Sequence, residues 1–491
     1  MRERDDAAAS SALAAAVAIA ATGEAVPLAL PPVTLAPAAA ANAGAAGQAT
    51  SVAGALLRRR LRAWTGILSA YFGTQTVTQL LGIAAGILFI RTMPVQEFAL
   101  YTLATSVITF FAFATDLGST TSLVHFYHRA AKEGEDFGRY LAAVLSLRRI
   151  AFVAGALVVA VALPAAAHAK GFRPLDIALV TAAVIPAVGF QIVAAVRQLT
   201  LRLHDRYAQS YRADLAGGAT RLLLAVLMVA SAALRSWLGV LTAAGASAYT
   251  AWLAQQPRDG VAEAPAAFDL APYRRAVLRY LLPTLPSALY FAIQGPLVVW
   301  LAATFGASRN IAEVGALTRL GLVVGIFSGL TGIVFMPRLA RIHDERVYRH
   351  RVLQFGAVHL ALASGLVLAA YRAPDLFLWL LGPHYAGLHR ELLLVVAGSG
   401  LVLLDGYLVA VNLARSWTRW QGLAMASLVA AQAALVSILP LTTSAGVLRF
   451  NVASAAAALA GQMVIVTLGF LRPQWVVWTA SVRHTADEPA G

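Results

Sequence analysis

Cysteine is absent from the 491 residues, so disulfides and thiolate metal sites are excluded. Lysine is nearly absent: Lys132 and Lys170 stand alone, and arginine supplies the rest of the positive charge. Charged residues make up 12% of the chain, about half the share of a soluble domain. No hydrolase, kinase or metal motif occurs. The histidines show no paired ligand spacing inside an apolar stretch, and His125, His128, His343, His384 and His389 all fall between such stretches. No metal site and no enzyme chemistry is expected from these patterns.

What is abundant is apolar length. Hydrophobic residues reach 59% and mean hydropathy is +0.71. A helix needs ~20 apolar residues to cross the hydrocarbon, where its backbone finds no water. Twelve stretches meet that need: 64–90, 98–118, 150–168, 176–198, 214–234, 237–254, 279–303, 312–336, 352–371, 391–413, 418–440 and 446–470. The expected fold is an all-α integral membrane protein.

The net charge of +15 resembles a nucleic-acid signature, but its placement argues for topology and contact with anionic lipid. Arginines gather in alternate loops, including Arg129/Lys132/Arg139/Arg148/Arg149, Arg202/Arg206/Arg212, Arg274/Arg275/Arg279 and Arg338/Arg341/Arg346/Arg349/Arg351. The intervening loops are short and poorer in charge, with Arg91, Lys170/Arg173, Arg235, Arg309 and Arg449. That bias predicts twelve spans with both termini cytoplasmic.

Residues 1–55 are rich in alanine and proline and read as a disordered cytoplasmic tail. A cleaved signal peptide is the competing reading, weakened by Glu3, Asp5 and Asp6 in the region that should be basic. The remaining chain divides into a six-helix bundle over 56–255, a Pro/Gly-bearing cytoplasmic linker over 256–275, a second six-helix bundle over 276–472 and a tail over 473–491. The halves share short matches. Tyr71-Phe72-Gly73-Thr74-Gln75 corresponds to Tyr290-Phe291-Ala292-Ile293-Gln294, and Glu97-Phe98-Ala99-Leu100 to Glu313-Val314-Gly315-Ala316-Leu317. Six spans per half give both halves the same orientation, which predicts two bundles around a central cavity.

Polar residues inside spans are costly and therefore informative. Tyr71, Gln75, Thr78 and Gln79 share one face of the first span; Ser287, Tyr290 and Gln294 share one face of the seventh. Such stripes line either a wet cavity or a helix–helix seam. Arg319, inside the eighth span, wants a carboxylate, water or a phosphate. Arg221 reads as a side chain snorkelling to the interface, and Arg91 as an interfacial anchor or a guard at a cavity mouth. Asp405, near the middle of the tenth span, is a candidate for proton or sodium coupling or for pairing with an arginine. Asp116 reads as a polar contact at a helix end.

The stretch from Arg91 to Leu123, with Glu97-Phe98-Ala99-Leu100-Tyr101 and Asp116-Leu117-Gly118, resembles the second-span region of bacterial polysaccharide flippases. These belong to the multidrug/oligosaccharidyl-lipid/polysaccharide exporter (MOP) superfamily. The second half is similar at Leu282-Pro283, Val314-Gly315-Ala316, Phe335-Met336-Pro337-Arg338 and Leu381-Gly382-Pro383-His384-Tyr385. The resemblance covers roughly residues 60–470. It implies twelve helices opening alternately to each side, and transport of an undecaprenyl-pyrophosphate-linked oligosaccharide across the bacterial inner membrane. It further implies a cationic cavity, for which Arg319 is the best match. Expected partners are the lipid-linked glycan, membrane lipids and polysaccharide polymerase or export machinery, with no nucleic acid and no cofactor beyond a coupling proton or sodium ion. A drug/cation antiporter of the same superfamily stays open, as does a membrane glycosyltransferase or polymerase.

Overall fold

In the computed structural model, the described residues are 73–255, 269–331 and 335–476. Tyr71, the 1–55 tail and most of the linker and C-terminal tail lie outside them. Every regular element among the described residues is helical. The first half contains α1 (Gly73–Thr92), α2 (Val95–Asp116), α3 (Ser119–Glu133), α4 (Phe137–His168), α5 (Pro174–Leu203), α6 (Tyr207–Ala230) and α7 (Ser236–Leu253). The second contains α8 (Ala271–Leu281), α9 (Leu285–Gln294), α10 (Leu297–Phe305), α11 (Ser308–Leu330), α12 (Met336–Ala340), α13 (Glu345–Arg372), α14 (Pro374–Leu381), α15 (His389–Ala414), α16 (Gln421–Ile438), α17 (Ser444–Leu471) and α18 (Pro473–Val476). Ten helices among the described residues are long and apolar enough to cross a membrane. The two remaining expected spans fall on α7, over Ser236–Leu253, and on α11, over Ser308–Leu330. The protein is thus an all-α, multi-pass membrane protein.

Local sequence sets the ends of these helices. Asp136 caps α4 by accepting from Gly138 N at 2.8 Å, and Asp344 caps α13 by accepting from Val347 N at 2.9 Å. Helix α2 stops where Leu117 and Gly118 turn left-handed, at φ +44° and +80°. A glycine suits that left-handed turn. The seventh span departs most from expectation. Its helix begins at Ala271, inside the segment expected as linker, and is interrupted twice. A 3-10 turn over Leu282–Thr284 carries Pro283 and precedes Pro286, and Gly295-Pro296 separates α9 from α10. Proline removes a backbone donor and crowds the preceding turn.

The two halves repeat one packing scheme. Helix α5 packs along α7 as α15 packs along α17; α6 lies on α7 as α16 lies on α17; α2 meets α5 as α11 meets α15; α4 meets α5 as α13 meets α15. Small residues allow close approach. A methyl group at Gly217 of α6 would fall 1.9 Å from Thr250 Oγ1 of α7. Between the halves, α2 packs chiefly on α11, with α9 and α10 beside it. The largest buried apolar cluster crosses this boundary, including Phe98, Leu103 and Phe111 of α2 with Ile311, Val314 and Leu317 of α11.

Candidate functional site at the lobe interface

Helix α2 starts on the face away from the arginine-rich loops. Six residues in, Tyr101 is fully buried. Arg221 of α6 donates to its hydroxyl at 3.4 Å, and Arg319 of α11 lies 5.8 Å from its ring centroid. Both guanidinium groups act on the Tyr101 hydroxyl. Arg319 also runs against Gly86 of α1, where a methyl group would sit 3.6 Å from Nη1. Helices from both lobes therefore place two cations around one phenol. Neither arginine forms an ion pair with a carboxylate among the described residues, and Arg221 Nε is buried without a partner. Two guanidinium forks without a counterion suit an anion with several oxygens, such as a phosphate.

Both arginines lie well within their helices. Helix α11 begins at Ser308, so Arg319 lies about 16 Å along it at 1.5 Å per residue. Helix α6 begins at Tyr207, which places Arg221 about 21 Å along rather than near an end. At that position Arg221 contacts Tyr101. Tyr101 had no signal of its own, because an aromatic within an apolar helix looks like core.

The first-span stripe divides. Thr78 faces Gly218 of α6, and its hydroxyl is buried without a partner, so it sits in a helix seam. Gln75 and Gln79 are half-buried on the same helix. The seventh-span stripe forms a polar seam inside the second lobe. Ser287 returns its hydroxyl to Thr284 O at 2.8 Å. Gln294 Oε1 accepts from Gln432 Nε2 of α16 at 3.0 Å, and Gln432 also reaches Ser454 Oγ of α17 at 2.6 Å. The Tyr290 hydroxyl is buried beside Gln432. Asp405 of α15 is close enough to act on that hydroxyl electrostatically, and Asp405 Oδ1 is buried and partnerless. No arginine pairs with Asp405 among the described residues, which removes the ion-pair reading. Asp116 is the helix-end contact expected, paired with the buried Arg148 and bonded to Ser119 and Thr120.

On the face away from the arginine-rich loops, the lobes are joined. Arg91 is exposed and sits over the Trp379 ring of α14 at 5.0 Å. Lys170 Nζ, between α4 and α5, donates to Gly306 O at 2.7 Å and to Thr304 O at 3.3 Å, capping the end of α10. Trp300 Nε1 of α10 donates to Ser106 Oγ of α2 at 3.1 Å. Phe98 packs edge-on to Tyr385, centroids 6.4 Å apart. A cleft of about 240 Å³ remains there, lined by Val95, Arg309, Glu313, His384 and Tyr385. Burial raises the Tyr385 hydroxyl well above the usual tyrosine range, and nearby Glu313 adds to that while Arg309 opposes it. Lys170, Trp300 and Ser106 carried no distinguishing sequence pattern.

No protein-family model and no curated protein matches the chain in sequence. Solved structures match its fold. The lipid II flippase MurJ in an inward closed conformation superposes with a TM-score of 0.63 at 12% identity, covering 81% of this chain and 87% of that one. An inward-facing multidrug resistance MATE family transporter of the MOP superfamily superposes with a TM-score of 0.55 at 16% identity, covering 81% and 95%. At such identities the likeness is one of fold. The chain has the fold of the flippase and exporter structures of the MOP superfamily, as its own residues suggested.

Proposed function

We propose that this protein moves a lipid-linked oligosaccharide, of the undecaprenyl-pyrophosphate kind, across a bacterial inner membrane for polysaccharide biosynthesis and export. The observation that carries this reading is the convergence of Arg221 and Arg319 on Tyr101 from opposite lobes, with no carboxylate paired to either among the described residues. A sugar head group cannot cross hydrocarbon unaided, since each desolvated hydroxyl costs on the order of several kcal/mol. A polar passage replaces that hydration, and the guanidinium groups offset the pyrophosphate charge. The lipid tail stays in the bilayer between the lobes. Rocking of the lobes exposes the head group alternately to each side, and no covalent step is needed. The fold shared with a lipid II flippase supports this reading. In it, both termini are cytoplasmic, residues 56–255 and 276–472 form the two lobes, and a polysaccharide polymerase or export machinery receives the product.

A second reading is a cation-coupled small-molecule antiporter. Its support is the buried Asp405, whose Oδ1 has no partner and which lies near Tyr290, together with the fold shared with a multidrug transporter. The two readings separate in a deletion strain. The flippase reading expects lipid-linked repeat units to accumulate on the cytoplasmic leaflet. Normal arrival at the outer leaflet, with no redundant transporter present, would contradict it. Drug sensitivity without glycan accumulation would support the antiporter.

A further inference from the structure

The arginines of the basic face are used differently in the two lobes. In the first lobe they are spent on internal partners: Arg148 on Asp116, Arg202 on Asp214, Arg197 on Ala251 O, and Arg139 on the hydroxyl and ring of Tyr273 from α8. In the second lobe four arginines rest on aromatic rings. Arg415 lies 4.0 Å from the Tyr348 ring centroid, Arg472 4.4 Å from Trp475, Arg349 5.3 Å from Phe470 and Arg419 5.7 Å from Trp420. Among the described residues only Arg415 also meets a carboxylate, Glu345 at 3.4 Å.

These four form one rim. They come from the start of α13, the turn between α15 and α16, and the end of α17. Trp420 Nε1 donates to Trp475 O at 2.8 Å, Arg419 N donates to Val476 O at 3.2 Å, and Trp417 packs edge-on to Phe470 at 5.2 Å. Arg349, Arg419 and Arg472 are exposed, as are Trp420 and Trp475. A guanidinium lying on a ring keeps its N–H edge free and has already lost much of its rotamer freedom, so engaging a phosphate costs less. Next to the rim lie Leu353, Leu423 and Leu471, exposed at 67%, 62% and 72%, which begin the apolar belt of the lobe.

Cation, tryptophan and exposed leucine thus follow one another in the order of a phospholipid: phosphate, interface, acyl chain. We propose that this rim binds anionic phospholipid through Arg349, Arg419 and Arg472, with the acyl chains along Leu353, Leu423 and Leu471. The charge and the continuity with the apolar belt both fit a lipid better than a soluble partner. The inference is independent of what the protein transports.

The test is native mass spectrometry of the full-length protein in neutral detergent, with phosphatidylglycerol and phosphatidylcholine added at equal concentration. Retention of phosphatidylglycerol is expected to exceed that of phosphatidylcholine by at least tenfold, which is about 1.4 kcal/mol. Arg419→Ala combined with Arg472→Ala should abolish the preference. Arg129→Ala combined with Arg206→Ala, from the first lobe, should leave it intact. Equal retention of the two lipids by the unaltered protein would overturn the proposal and leave the rim to a soluble acidic partner. A preference unchanged by the Arg419/Arg472 pair, or one that persists undiminished in 1 M salt, would overturn it too, and the salt arm requires no variant.

Discussion

Two guanidinium groups around one buried phenol set the electrostatics of the lobe interface. Replacing Arg319 with alanine is expected to lower glycan export at least tenfold while membrane insertion stays normal. Arg319→Lys should recover only part of the activity, because an ammonium lacks the planar fork. Unchanged export in the alanine variant would remove Arg319 from the site. Asp405→Asn should weaken dependence of transport on the ion gradient, and an unaltered dependence would make Asp405 structural. The buried Arg148–Asp116 pair has a different role. Arg148 is only 5% exposed, but Asp116 is 30% exposed and keeps its bonds from Ser119 and Thr120, so Arg148→Ala is expected to cost about 1–2 kcal/mol. A lowered thermal unfolding midpoint in detergent would show it; an unchanged midpoint would count against it. Arg319 was legible in the sequence because a charge inside an apolar run stands out. Arg221 was equally visible, but its contact with Tyr101 was not, because that partner comes from another helix. Tyr101 was illegible because its meaning lies in neighbours from other helices.

Among the helices, α2 and α11 form the hinge of the account. A methyl group at Gly315 of α11 would fall 2.4 Å from Thr102 Cγ2 of α2, closer than real contacts allow. Gly315→Ala is therefore expected to wedge the lobes apart on the face away from the arginines. Lys170→Ala should act in the same direction, by uncapping α10. Because the chain has no cysteine, a single one placed at Val95 reports directly on that cleft. Its labelling rate should rise several-fold in either variant; a constant rate would mean these contacts do not hold the lobes. Span positions were readable from apolar length, and the breaks of the seventh span were foreshadowed by Pro283 and Pro286. The start of that span at Ala271 was not, since the first turns of α8 carry Arg274, Arg275 and Arg279 and read as linker. The short matches between halves pointed to a repeat, and the shared helix-pairing scheme gives that repeat a structural form.

At the level of the molecule, two lobes with the same helix pairing meet over a seam that is apolar on one side of Tyr101 and cationic beside it. The seam is pinned on the face away from the arginine-rich loops by contacts of Arg91, Lys170 and Trp300, which suits a carrier closed on that face. The proposed alternating access would require those contacts to break and re-form while Arg221 and Arg319 separate with their lobes. The most direct measurement places the purified protein in liposomes with a lipid-linked pyrophosphate oligosaccharide on one leaflet and follows its appearance on the other. The account expects leaflet exchange well above that of protein-free vesicles, and its loss when Arg221 and Arg319 are both replaced by alanine. Exchange no faster than in empty vesicles, or exchange indifferent to both arginines, would contradict it.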